Sequence, residues 1–179
     1  MPADSMIPLY SSLVGGACAI AGSLATSTWN KRSERQHEAR QLAKAFKGEL
    51  CAIVSILGLR NYQAGLRAAA DRCRTDQSVH VYCVSAQEEY RAIYKANASK
   101  IGCLPGTLPE QIAIFYTVAA SLIEDFNDSV EIRDGKRDIS VLGSPTQAAQ
   151  KYSRVADYID DLVNKAQVAV AEIDRLYPV

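Results

Sequence analysis

The sequence predicts an all-α protein: an N-terminal transmembrane helix that continues into a cytoplasmic antiparallel helical bundle with coiled-coil-like packing. Three observations carry this. No Asp, Glu, Lys, Arg or His occurs from Ser5 to Asn30, and a dense basic stretch follows at once, Lys31, Arg32, Arg35, Arg40, Lys44 and Lys47. Downstream, apolar residues recur at steps of three and four, the period of a helix with one buried face. Glycine and proline are few and fall at a handful of junctions.

Residues 1–6 form a short tail, and the span is placed at 7–29, IPLYSSLVGGACAIAGSLATSTW. An apolar helix of about 20 residues covers a hydrocarbon core of roughly 30 Å. Tyr10 and Trp29 stand near its two ends, where aromatic rings favour the headgroup level. Pro8 falls in the first turn, where a missing N–H costs little. Small residues outnumber Leu, Ile and Val. Ser11, Gly15, Ala19, Ser23 and Ser27 recur every fourth residue and form one ridge. Such a ridge lets two membrane helices approach closely, and it also arises by chance in Ala/Gly-rich spans. Three other readings compete: a signal peptide cleaved near Ser23-Leu24-Ala25, a buried core helix, and an interfacial helix. The tail MPADSM lacks the basic n-region of a signal peptide. The run has no charged face, which disfavours an interfacial helix. Because Lys and Arg are retained on the cytoplasmic side, the expected location is an inner membrane. The N-terminus lies outside and the C-terminal domain in the cytoplasm.

Residues 30–41 read as a basic, polar stalk, and 42–179 as one bundle domain. From Asn30 to about Cys73 one helix can run on, with Leu42, Phe46, Leu50, Ile53 and Leu57 down one face and Gly58 and Gly65 as weak points. Residues 74–84 break the pattern. Ser85-x-x-Glu88 makes a capping box that opens a helix to about 101, and Thr107-x-x-Glu110 opens another to about 133. Ile112, Phe115, Ala119, Leu122 and Phe126 form the stripe of that second helix. The last helix, 144–177, starts with Ser144, Pro145 and Gln147, a third box. Its seam of Ala148, Tyr152, Val155, Ile159, Leu162, Ala166, Ala169, Ile173 and Leu176 steps in heptads. That seam packs inside the domain or against a partner chain.

Composition bounds the function. With 20 basic and 20 acidic residues the chain lacks the net basic surface of a nucleic-acid binder, and no nucleic-acid partner is expected. The expected partners are the lipid bilayer and a second copy or another membrane protein. Five scattered cysteines show no CxxC and fit a reducing compartment. His37 reads as solvated and His80 as a loop residue, with no HExxH, no phosphate-binding glycine motif and no GxSxG. Two acid clusters, Glu124/Asp125/Asp128 and Asp157/Asp160/Asp161, read as wet helix faces rather than a metal or acid–base site, with Arg133, Lys136 and Arg137 near enough to balance them. Neither a cofactor nor a catalytic residue is expected. Of nine tyrosines, Tyr90, Tyr94, Tyr116 and Tyr152 sit on or beside apolar stripes. They read as core residues bonded to backbone or acids, or as the lining of a pocket.

The segment Tyr94 to Pro105, YKANASKIGCLP, followed by LPEQIAIFY, resembles a motif of uncharacterised bacterial single-pass membrane proteins. In that group Asn-Ala-x-Lys-Ile-Gly-Leu-Leu-Pro precedes a helix with Phe-Tyr, and a Glu occurs near the position of Glu49. Cys103 stands where Leu is usual, and Gly106-Thr107 replaces a Pro-Glu type pair. The resemblance implies topology and fold and no catalytic residue. Physically the motif reads as a structural corner. Asn97 bonds backbone at a helix end, Gly102 takes a left-handed cap, Pro105 stops the helix, and Ile101 and Leu104 plug the bundle. The leading expectation is a non-enzymatic interaction or scaffold module. A sensor or small-ligand-binding bundle comes second, and an enzyme with an unfamiliar carboxylate site third.

Overall fold

The computed structural model describes the backbone of residues 7–84 and 88–178, and the side chains of 29–84 and 90–178. Among the described residues the chain is all helical, with no strand. The α-helices are α1 (Ile7–Arg60), α2 (Tyr62–Asp76), α3 (Ala92–Asn97), α4 (Leu108–Arg133) and α5 (Pro145–Leu176). Three 3-10 pieces, Glu88–Arg91, Ala98–Cys103 and Ile139–Leu142, complete the set.

Two compact units divide the chain, residues 1–41 and 42–179. In the first, the helix is exposed along residues 29–38, where Lys31, Arg32 and Arg35 are solvated. Among the described residues no helix is long and apolar enough to cross a membrane. The span expected at 7–29 is helical in backbone, but its side chains up to residue 28 lie outside the described residues. So does the small-residue ridge of Ser11, Gly15, Ala19, Ser23 and Ser27.

The second unit is a bundle whose legs run up, down, up, down. Residues 42–60 of α1 and then α2 form the first leg. Its alignment against α5 follows from three contacts: Lys47 pairs with Asp174, Arg67 with Asp160, and Arg74 bonds Ser153. Numbers rise on one side as they fall on the other, so this leg is antiparallel to α5. The single helix expected to about Cys73 is therefore interrupted once, at Asn61, and then resumes in the same direction. Asn61 takes a left-handed backbone with φ 48, a conformation that Asn tolerates better than most residues. Its N–H still reaches Leu57 O at 3.1 Å, and its carbonyl accepts from Gly65 N–H at 3.3 Å, so the break leaves few orphaned groups.

The second leg is the return strap, residues 77–107. A continuous helix over 85–101 is not what forms. A six-residue α3 sits between 3-10 pieces, and α3 buries none of its own residues. The Ser85 capping box lies outside the described residues. The third leg, α4, runs alongside the first, with Tyr116 against Phe46 and Phe126 against Tyr62, ring centroids 6.2 and 5.8 Å apart. The fourth leg, α5, packs on α2 and α4.

The periodic stripes are the core. Leu42, Phe46, Leu50 and Leu57 are buried, as are Ile112, Phe115, Ala119, Leu122 and Phe126 of α4. Eight of the nine seam positions of α5, Ala148 to Ile173, are buried, and Leu176 is half-buried. Each such side chain contributes roughly 1.5–3 kcal/mol when large and apolar. Helix ends match the sequence unevenly. Ser144 and Gln147 form a complete capping box. Thr107 does not cap α4: its backbone is already helical (φ −91, ψ −2), so its hydroxyl accepts instead from the Gln111 side chain at 3.1 Å. The polar break after α4 turns at Gly135 and Gly143, both with positive φ.

Candidate functional site

A single charged residue is buried among the described ones, Glu49 on α1. The spacing Phe46, Glu49, Ile53 places it on the same face as the apolar stripe, facing the strap and α4. Its Oε1 accepts from the N–H of Ile93 at 2.7 Å, and its Oε2 from the N–H of Tyr94 at 3.1 Å. The Tyr116 hydroxyl donates a short bond to the same Oε2. Ile93 and Tyr94 lie in the first turn of α3, whose own N-cap residue, Arg91, makes no side-chain cap. Glu49 therefore caps α3 from another helix and satisfies donors that the short helix leaves open. The Tyr94 ring stacks on Tyr116 at 4.1 Å, with planes 19° apart. Burial, then the bond to Glu49, pushes the Tyr116 phenol up from its ordinary value of 10.0.

The motif residues follow directly. Asn97 Nδ2–H donates to Ile93 O at 2.9 Å, closing the end of α3 as expected. Ile101 and Leu104 are buried. Gly102 is not a left-handed cap: among the glycines with positive φ the corner residue is Gly106, at φ 63. Gly102 lies inside the 3-10 piece 98–103, so the chain turns four residues later. The 3-10 piece ends at Leu104, whose backbone is extended, and Pro105 follows as the expected stop.

A narrow cleft opens beside this corner. Ile53, Ile56 and Leu57 of α1, Leu122 and Phe126 of α4, and Leu162 of α5 wall it, and Tyr90 and Arg91 of the strap close one side. It encloses about 50 Å³. Arg91 borders the cleft, and its Nε is buried and meets no acceptor. Sequence reasoning missed Arg91, and of the four tyrosines it offered as pocket lining only Tyr90 borders this cleft. Glu49 entered that reasoning only through the motif resemblance, although a carboxylate on an apolar stripe is a readable signal.

Other candidates resolve into structure. Tyr152 Oη donates to His80 O at 2.8 Å and accepts from Tyr82 N–H at 3.2 Å, pinning the loop after α2. His80 Nε2 lies 2.7 Å from Asp76 Oδ2, a carboxylate neighbour the sequence reading did not assign to it. His37 is exposed beside Gln41. The acid clusters are wet and paired outward: Asp157 and Asp160 with Arg67, Asp161 with Lys165, Asp125 with Lys151, and Asp128 with Arg137. Among the described residues no group of three His, Cys, Asp or Glu side chains is placed to hold a metal. No family model, curated protein or solved structure matches this chain.

Proposed function

We propose that this protein is a membrane-anchored helical bundle, a non-enzymatic interaction or scaffold module on the cytoplasmic face of an inner membrane. One observation carries the reading: the uncharged run Ser5–Asn30 is followed immediately by six basic residues within the same helix. Lipid accounts for the uncharged run, and the positive-inside rule accounts for the basic flank. The basic flank also meets anionic headgroups, at roughly 1 kcal/mol per Lys or Arg near the surface. In this reading Ser11, Gly15, Ala19, Ser23 and Ser27 pair the anchor with a second copy or a partner membrane helix. The segment Tyr94 to Pro105 resembles a motif of bacterial single-pass membrane proteins, and that resemblance implies the same topology.

Topology reporters test it. A fluorescent protein fused after Val179 should glow in intact cells, and a membrane-impermeant reagent should label a tag before Met1 from outside. Labelling at the other end, or at both ends only after lysis, contradicts the proposed arrangement.

A second reading, a small-ligand-binding bundle, is favoured by one feature: the apolar cleft walled by Ile53, Leu57, Leu122 and Phe126.

A further inference from the structure

We infer that the open groove between α4, the 3-10 piece Ile139–Leu142 and the first half of α5 binds a small aromatic carboxylate. The ring lies against Val141 and Tyr158, and the acid group pairs with Arg154 and Lys151. This groove shares no lining residue with the apolar cleft, so it is a site apart from both functions proposed above. It offers about 530 Å³, inside the roughly 300–1,000 Å³ of small-molecule pockets. Leu142 and Val155 line it as buried residues, whereas Val141 and Tyr158 line it half-exposed, at 51% and 47%. Lys151, Arg154 and Tyr158 stand at i, i+3 and i+7 on α5, which aligns them along one face. Arg154 is exposed and meets no carboxylate among the described residues. Lys151 Nζ lies 3.7 Å from Asp125 Oδ1, too far for a hydrogen bond, so its N–H donors stay open to a ligand. A guanidinium and an ammonium are donors only and fit a pair of anionic oxygens. Two cations against the one acid, Asp125, leave the lining with a single net positive charge. That balance complements a monoanionic carboxylate better than a phosphate dianion.

The walls are fixed independently of any ligand. Asp138 accepts from the Ser140 N–H at 2.6 Å and caps the 3-10 piece, and the Gly143 N–H closes it on Ser140 O at 2.9 Å. The Ser144–Gln147 box then sets the entry into α5, and burial of Leu142 holds the piece on the bundle. Val141 is thus presented from a pinned turn rather than a free loop, which lowers the ordering cost of binding. A half-exposed phenol ring in the same groove favours a flat aromatic partner, because stacked rings gain beyond the area they bury.

The test titrates the full chain in lipid nanodiscs with naphthoate, naphthylmethanol and naphthyl phosphate, with empty nanodiscs as the blank. Calorimetry reads binding and circular dichroism reads fold. Naphthoate should saturate one site and bind about tenfold tighter than the alcohol, the effect of one charge-assisted hydrogen bond. Arg154→Gln should remove that preference while the helical signal stays unchanged, since the side chain is exposed. Arg154→Lys, which keeps the charge and loses the planar fork, should recover only part of it. Tyr158→Ala should weaken acid and alcohol alike, by about fivefold. Naphthyl phosphate binding tighter than naphthoate overturns the carboxylate assignment. Equal binding of acid and alcohol, or naphthoate binding untouched by both Arg154→Gln and Tyr158→Ala, overturns the site. No saturable binding of any of these probes overturns the inference as well, and leaves the membrane anchor and the apolar cleft to their own tests.

Discussion

Glu49 holds two backbone N–H groups and a phenol, so its removal orphans three donors at once. Hydrogen bonds to charged groups contribute about 1.5–3 kcal/mol each, less the cost of burying the carboxylate. Glu49→Ala should therefore destabilise the bundle by about 3 kcal/mol in urea melts. The loss should be largest for probes placed in the strap. Tyr116→Phe removes one donor and should cost about 1–2 kcal/mol. Alkaline pH gives a separate check. The Tyr116 phenol is raised above 10.0 by burial and then by Glu49. Below pH 10 both states hold the proton and the contribution is intact. Above it the unfolded chain releases the proton while the folded chain keeps it, so stability falls as pH rises. Tyr152, also raised by burial, adds to the same slope. Tyr116→Phe should flatten that loss, and an unchanged slope would remove Tyr116 from the account. Glu49 was singled out only through the motif resemblance, and its partners were not legible. They lie 44 to 67 residues away, and no local pattern encodes that pairing.

At the scale of elements, the stripes of α4 and α5 were legible because period and burial coincide along their whole length. The corner was less so. Glycine supplies the turn, and the sequence offers both Gly102 and Gly106 within five residues. Which of them takes positive φ depends on where the 3-10 piece ends. The joint between α1 and α2 was similarly hidden, since Asn61 takes a left-handed backbone while its N–H and carbonyl stay hydrogen-bonded. Two substitutions probe these elements. Gly143 combines φ 73 with ψ −146, a region that only glycine enters cheaply, and a Cβ there would sit 2.2 Å from Gln147 Oε1. Gly143→Ala should cost about 1–3 kcal/mol in urea melts and break the Ser144–Gln147 box. Gly65 lies under the Tyr82 ring, with a Cβ position 1.9 Å from the hydroxyl oxygen. Gly65→Ala should not stabilise the native protein. In a Tyr82→Ala background the same change should gain about 1 kcal/mol, the ordinary helix preference of alanine. A double-mutant cycle measures that coupling, and a gain from Gly65→Ala in both backgrounds would contradict the contact.

For the whole molecule, the surface ion pairs along α2 and α5 set alignment more than stability, because their side chains are about half exposed. Stability resides in the stripes. The bundle was legible from the helical stripes of α4 and α5 and from the Ser144–Gln147 box. The cleft was not, because it forms where a non-periodic strap crosses two periodic helices. If the small-residue ridge pairs anchors, Gly15→Leu with Ala19→Leu should weaken self-association in membranes by tenfold or more. A Förster transfer assay between labelled full-length chains would read that change, and unaltered transfer would remove the ridge. The most direct test of the central claim is extraction of membranes from lysed cells at alkaline pH and high salt. The intact chain should stay in the pellet and be released only by detergent. Recovery of the chain in the supernatant without detergent would contradict the membrane anchor.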